Sequence, residues 1–247
     1  MTVRDYIDKL RLYFWFSAKE FWAFVGVVVG LAIIHSWNLW GTQRFEASVG
    51  LTNLLQAMVF VSITVFLHHA GQRMMALALG FRAEHKMWWN GLLAGLILAM
   101  LSNGKIAFLA ATATMEHLLP IHRLGAFRHG ANIATLAKIA MAGPALNIAF
   151  AGLVKMIEFA GFLNPYVSNQ LFGLNIAFAL WNLLPIPPLD GTKILYWSRM
   201  IYVWLVAAVG SYAFLAFFFN FYSYLAAVIL GTVLTIIVFL ILGKEWL

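Results

Sequence analysis

Three short stretches place polar side chains inside long apolar runs, where a packed or lipid-covered helix has least use for them. The first is Phe66-Leu67-His68-His69-Ala70-Gly71-Gln72-Arg73. His68 and Gln72 are four residues apart, so on a helix they share a face and can converge on one point. His69 points about 100° away around the same helix. The second is Ala142-Gly143-Pro144-Ala145-Leu146-Asn147. Gly143 permits close backbone approach, Pro144 is expected to interrupt regular helix hydrogen bonding, and Asn147 can satisfy a freed carbonyl. The third is Asn182-Leu183-Leu184-Pro185-Ile186-Pro187-Pro188-Leu189-Asp190-Gly191. Its prolines force extended backbone at a helix end and leave Asp190 as an isolated carboxylate. An imidazole, an amide and a carboxylate drawn from separate segments can form a hydrogen-bonded polar cluster or hold a cation; both readings stay open at this point.

The elements that position these stretches must lie in lipid. Hydrophobic residues make up 63% of the 247 positions and charged residues 10%, with a mean hydropathy of +0.87. A soluble domain carries about 25% charged residues. Cysteine is absent, which excludes disulfides, thiolate catalysis and Cys-ligated zinc. The formal charge of +7 is spread through short loops, where it meets anionic lipid head groups; no nucleic-acid partner is expected. The first 20 residues carry charge throughout and no small-residue cleavage site, so they are not read as a signal peptide. Tyr6, Leu10, Tyr13, Phe14 and Phe16 alternate there with Arg4, Lys9 and Arg11, predicting an amphipathic interfacial helix over 1–20.

Apolar segments follow at roughly 21–40, 51–80, 88–103, 132–161, 168–184, 195–218 and 221–243, with Asn220 marking a turn between the last two. Segment 88–103 is short, contains Asn90 and two glycines, and ends at the turn signal Ser102-Asn103-Gly104. Ile106 to Met115 is apolar but too short to span. Together they predict a re-entrant excursion within 81–131. With the amino terminus in the cytoplasm and no net crossing over 81–131, the inside loops hold Arg4, Lys9, Arg11, Lys19, Arg82, Lys86, Lys105, Arg123, Arg128, Lys193, Arg199 and Lys244. The outside loops hold Arg44. That is a positive-inside pattern. The expected fold is an all-α polytopic bundle of about six transmembrane helices with a re-entrant, β-containing segment. Residues 21–247 are read as a single integral membrane domain, in the plasma membrane of a prokaryote.

In order and wording, the three stretches resemble the site-2 protease family of intramembrane zinc metalloproteases. That family carries HExxH on one helix, a GPxxN-like motif on the next core helix and N-x-x-P-x-x-x-L-D-G on the third. Gly143, Pro144 and Asn147 match the second motif; Asn182, Pro185, Leu189, Asp190 and Gly191 match the third, more specific one. Trp181 and Lys193 also fit the family's pattern. The resemblance implies a protease-like core over about 51–200, with His68 and Asp190 at metal-ligand positions. It also implies a groove for a substrate or partner helix lined by Gly143, Pro144, Asn147, Asn182 and Pro185.

The first motif departs from the family. His68 keeps the first ligand position and Gly71 the family's glycine, but His69 stands at the general-base glutamate and Gln72 at the second zinc ligand. A neutral amide is a weak ligand beside an imidazole. Loss of the glutamate removes a proton transfer worth about 10²–10⁴-fold in rate. The expectation is a non-catalytic relative that binds a transmembrane partner or joins a larger membrane complex. No cofactor is expected unless zinc occupies the degenerate site. An active intramembrane zinc protease is the alternative, with His69 as base, and a small transporter a third class. His117, His122 and His129, with Arg123 and Arg128, read as an interfacial basic loop more than as a substitute metal site. Glu84-His85-Lys86 reads as an edge strand or a solvated loop.

Overall fold

The computed structural model describes residues 3–41, 44–119, 132–219 and 223–242. About 75% of the described residues are helical. Helix α1 (Val3–Tyr13) is short and amphipathic and leaves Val3, Leu12 and the following Trp15 exposed. It ends before the length expected. Ser17 opens a second helix, α2 (Ala18–His35), with a reciprocal cap: Ser17 Oγ accepts from the Glu20 amide at 3.3 Å, and Glu20 accepts from the Ser17 amide at 2.8 Å. Lys19 and Glu20 therefore belong to the first long apolar helix and not to the interfacial one.

The remaining elements are α3 (Ala47–Ala78), β1 (Phe81–Met87), α4 (Trp89–Leu101), β2 (Thr112–Leu118), α5 (Ile133–Phe159), α6 (Pro165–Asn182), α7 (Asp190–Trp197), α8 (Arg199–Phe219) and α9 (Tyr224–Leu242). Five of these helices, α2, α3, α5, α8 and α9, are long and apolar enough to cross a bilayer. The protein is an integral membrane protein. The expected sixth span corresponds to α6, which has 18 residues but carries Ser168, Asn169, Gln170, Asn175 and Asn182 and falls outside that apolar set.

Residues 81–119 form the excursion. β1 and β2 pair antiparallel from Phe81↔Leu118 to Met87↔Thr112. The chain leaves the sheet after Met87, runs out along the 13-residue α4, turns at Asn103 and Gly104 with positive φ, and returns through buried Phe108–Ala111 to the same sheet. The apolar stretch from Ile106 is thus extended backbone leading into a strand. Glu84 and His85 lie on a paired strand, not a solvated loop, and Glu84 faces His117 at 3.4 Å. His122, Arg123, Arg128 and His129 lie outside the described residues, as does Asn220.

Apolar side chains from α2, α3, α4, α5 and α6 form the main core around Leu31, Val61, Leu92, Val154 and Phe178. α3 meets α5 closely because Gly71 offers no Cβ; one added there would lie 2.5 Å from the Ala142 carbonyl oxygen. Pro144 sits inside α5 without ending it: the helix runs on to Phe159. Pro144 still removes one backbone donor from the ladder, but the helix continues through it, and Gly143 serves a steric purpose described next.

Candidate functional site

His68 and Gln72 lie on one face of α3, both 1% exposed, and Asp190, at the first turn of α7, is 4% exposed. His68 Nε2 lies 2.8 Å from Asp190 Oδ2. The Gln72 amide nitrogen donates to Asp190 Oδ1 at 2.8 Å and Oδ2 at 2.9 Å, and lies 3.3 Å from His68 Nε2. Gly143 makes room for this ring: a Cβ at that position would sit 2.6 Å from His68 Nε2. Gly191 similarly lets the start of α7 fold against the end of α6, since its Cβ would meet the Leu183 carbonyl oxygen at 2.0 Å.

Asn147 fixes the protonation of the imidazole. Its amide nitrogen donates to the Thr64 carbonyl at 3.1 Å and to Asn175 Oδ1 at 2.7 Å. Its oxygen therefore faces His68 Nδ1, at 3.0 Å, and accepts from it. With Nδ1 protonated, the Nε2···Oδ2 contact also needs a proton between its two atoms, because two lone pairs at that distance would repel. The buried carboxylate is thus served by a proton shared with His68 and by two amide donations.

The sequence reading missed Thr114, Asn175, Thr64 and His85. Thr114, on β2, donates to Gln72 Oε1 at 2.5 Å and closes the cluster from the sheet side. Asn175 donates to Thr64 Oγ1 at 3.1 Å and to the Leu171 carbonyl at 2.8 Å. Ser168, Asn175 and Asn182 recur every seven residues along α6 and are all buried, a polar stripe that was legible in the sequence. His69, placed away from His68 as expected, lies with its ring 3.9 Å from that of His85 and its Nδ1 3.3 Å from Gln72 Oε1. Burial, with the nearby Arg73 charge adding to it, pushes the His85 imidazole down to about 3.

Beside the cluster, Arg73 pairs with Glu20, donates to the Phe14 carbonyl at 2.5 Å and stacks 4.3 Å over the Phe16 ring. Glu20 also accepts from the His85 amide at 3.1 Å. Lys193 donates to the Thr114 carbonyl at 2.9 Å and to Glu116 at 2.5 Å, tying α7 to β2.

The expected groove residues separate. Gly143, Asn147 and Asn182 are buried, with Asn182 bonding back to the Phe178 carbonyl of its own helix at 2.8 Å. At Gly143 and Asn147 the space is taken by the His68 ring and the Asn175 amide. Pro144 lines an apolar cavity on the far side of α5, and Pro185 is exposed in the turn before α7. An open cleft of about 340 Å³ instead lies between the sheet and the proline turn, lined by Lys86, Met87, Thr114, Pro187, Pro188 and Lys193 among others.

The chain is 28% identical, over 192 residues, to a protein of Methanocaldococcus jannaschii named "Putative zinc metalloprotease"; the match spans 76% of this chain and 90% of that relative. No family model matches the chain, and no solved structure matches it.

A zinc ion takes four ligands at about 2.0–2.3 Å from imidazole, thiolate or carboxylate. Here His68 and Asp190 supply two such groups, and the Gln72 amide nitrogen, which can only donate, stands between them. Among the described residues, no three His, Cys, Asp or Glu side chains are grouped to hold a metal. The donor set does not fit zinc.

Proposed function

We propose that the chain is a site-2-protease-like integral membrane protein without proteolytic activity, which binds a segment of a membrane partner or serves as a subunit of a membrane complex. The observation that carries this reading is the Gln72 amide donating to both oxygens of Asp190 beside His68. A carboxylate and an imidazole whose lone pairs would need to face a metal ion are satisfied by the protein itself. His69, at the position of the family's general base, faces His85 and the Gln72 oxygen. The cleft between the sheet and Pro187-Pro188, with Lys86 and Lys193 in its wall, supports binding of an extended partner segment at this end of the bundle. Arg82, Lys86 and Lys193 lie at that end, whereas Lys105 follows Gly104, which packs on Asn38 beyond the other end of α2. The excess of basic residues near the site supports a cytoplasmic site and amino terminus in a prokaryotic plasma membrane.

The name of the archaeal relative supports a second reading, an active intramembrane zinc protease. Metal content and cleavage of a single-span test substrate by the purified, unmodified chain discriminate the two. The expected result is less than stoichiometric zinc and no chelator-sensitive cleavage. Stoichiometric zinc lost in His68→Ala or Asp190→Ala, together with cleavage abolished by chelator, would overturn the proposal.

A further inference from the structure

Behind α5, on the side away from His68, lies a cavity of about 520 Å³. Its walls come from α5 (Met141, Pro144, Ala145, Ile148, Ala149), α8 (Trp204 to Tyr212) and the start of α9 (Tyr224 to Val228), with Leu183 at the end of α6. Among the described residues, no charged one lines it. Ala145, Ala149, Trp204, Tyr224 and Val228 also remain open to the surroundings, so the cavity communicates with the lipid phase. α8 and α9 pack tightly on one another, with Gly231 against Ala208, but meet the rest of the bundle through Val209, Tyr212 and Ala227, which border the cavity.

We infer that this cavity is a binding site for one acyl chain of a membrane lipid. Protein interiors close to high density, and a polar-poor void gives water too few partners to hold it there. An apolar cavity of about 150 Å³ accepts a six-carbon ring, so a space more than three times larger accommodates about twenty carbons, the content of a single long chain. A partner helix is a poor fit. The α8 wall runs from Trp204 to Tyr212, a rise of about 12 Å, whereas a spanning helix is about 30 Å long and 10 Å wide. The bound chain would wedge the α8–α9 hairpin against the back of the helix whose other face holds Gly143 and Asn147 on His68.

The test is native mass spectrometry of the full chain in detergent with added palmitoyl-oleoyl phosphatidylglycerol. One lipid is expected to survive activation that strips the rest. Ala145→Phe/Ala149→Phe, which fills the cavity from its open α5 face, should lower that occupancy at least tenfold. Ala149→Leu, a smaller filler, should lower it in the same sense. Leu240→Phe, on the exposed face of α9, should leave it unchanged, with circular dichroism and melting reporting the fold of each variant. Equal retention in parent and cavity-filled proteins, no retained lipid in the parent, or a co-purifying protein displaced by the same substitutions would each overturn the inference.

Discussion

The side-chain amide of Gln72 reaches both oxygens of Asp190, at 2.8 and 2.9 Å, across 118 residues of sequence. His68 shares the same carboxylate, and Asn147 and Thr114 hold the imidazole and the amide from opposite ends. Asn147, His68, Asp190, Gln72 and Thr114 thus form one continuous hydrogen-bonded chain, whereas His69 Nε2 and both ring nitrogens of His85, packed beside it, are buried without a partner.

That bookkeeping predicts unequal effects of two substitutions at one position. Asp190→Asn keeps an oxygen for Gln72 and supplies an amide donor to an unprotonated His68 Nε2, so its cost should be about 1 kcal/mol. Asp190→Ala strands His68 and Gln72 together and should cost at least about 3 kcal/mol. Thermal or denaturant unfolding in detergent measures both, and equal losses would contradict the shared-proton arrangement.

Restoring the family motif is a gain-of-binding test. His69→Glu/Gln72→His removes the blocking amide and adds an imidazole on the same face of α3 as His68, four residues on. Metal analysis after dialysis should find about one zinc per chain in the double variant and a small fraction of that in the parent. Absence of zinc from the double variant would mean that more than these two residues separates the chain from a metal site.

Much of the cluster was legible because its members stand in recognisable wording: His68 and Gln72 at helical spacing, Gly143 to Asn147, and Asn182 to Gly191. The structure brings all three stretches to one place. What could not be read depends on distant pairing. Thr114 is one threonine among several until β2 returns to β1, and the extended run before it looks like a fragment of helix in composition alone. His85 becomes notable through His69, and Glu20 through its partners Arg73 and His85, 53 and 65 residues away respectively. The filling of the space at Gly143 and Asn147 was missed for a different reason. Gly143 and Asn147 suggest open space in a sequence, but that space is taken by the His68 ring and the Asn175 amide.

Glu20 and Arg73 should behave as a unit. Both side chains are about 5% exposed or less, so removing either leaves a buried charge. Glu20→Ala and Arg73→Ala should each cost about 3–5 kcal/mol, and the double variant clearly less than their sum. A double-mutant cycle read by unfolding gives the coupling; additive losses would show that the pair contributes no linked stability.

Gly143→Ala adds a methyl group 2.6 Å from His68 Nε2. The ring or α5 must move, at a cost of about 1–3 kcal/mol. The same substitution at Gly152, where an added Cβ meets nothing within 4 Å, should be neutral or slightly stabilising. Melting temperatures of the two variants provide the comparison.

Acid should weaken the fold through His85. Its folded imidazole is held down to about 3, below its ordinary value of 6.5, so the unfolded chain binds the extra proton. The stability associated with the neutral ring is complete above about pH 6.5 and declines as pH falls toward 3. His85→Phe, which keeps an aromatic ring beside Phe24, should flatten that part of the pH–stability profile. An unchanged slope would assign the acid sensitivity to other groups.

The Glu20 carboxylate has a bearing on how the chain is made. It enters the bilayer boundary at the head of the first long helix, and the guanidinium that neutralises it is synthesised 53 residues later. Until α3 emerges, the newborn amino-terminal helix carries an uncompensated anion at its base, with α1 not yet anchored to it through Arg73. Seating of that first helix at its final depth therefore waits on the segment that brings His68 and Gln72, and the polar cluster closes later still, when Thr114, Asn147 and Asp190 have followed.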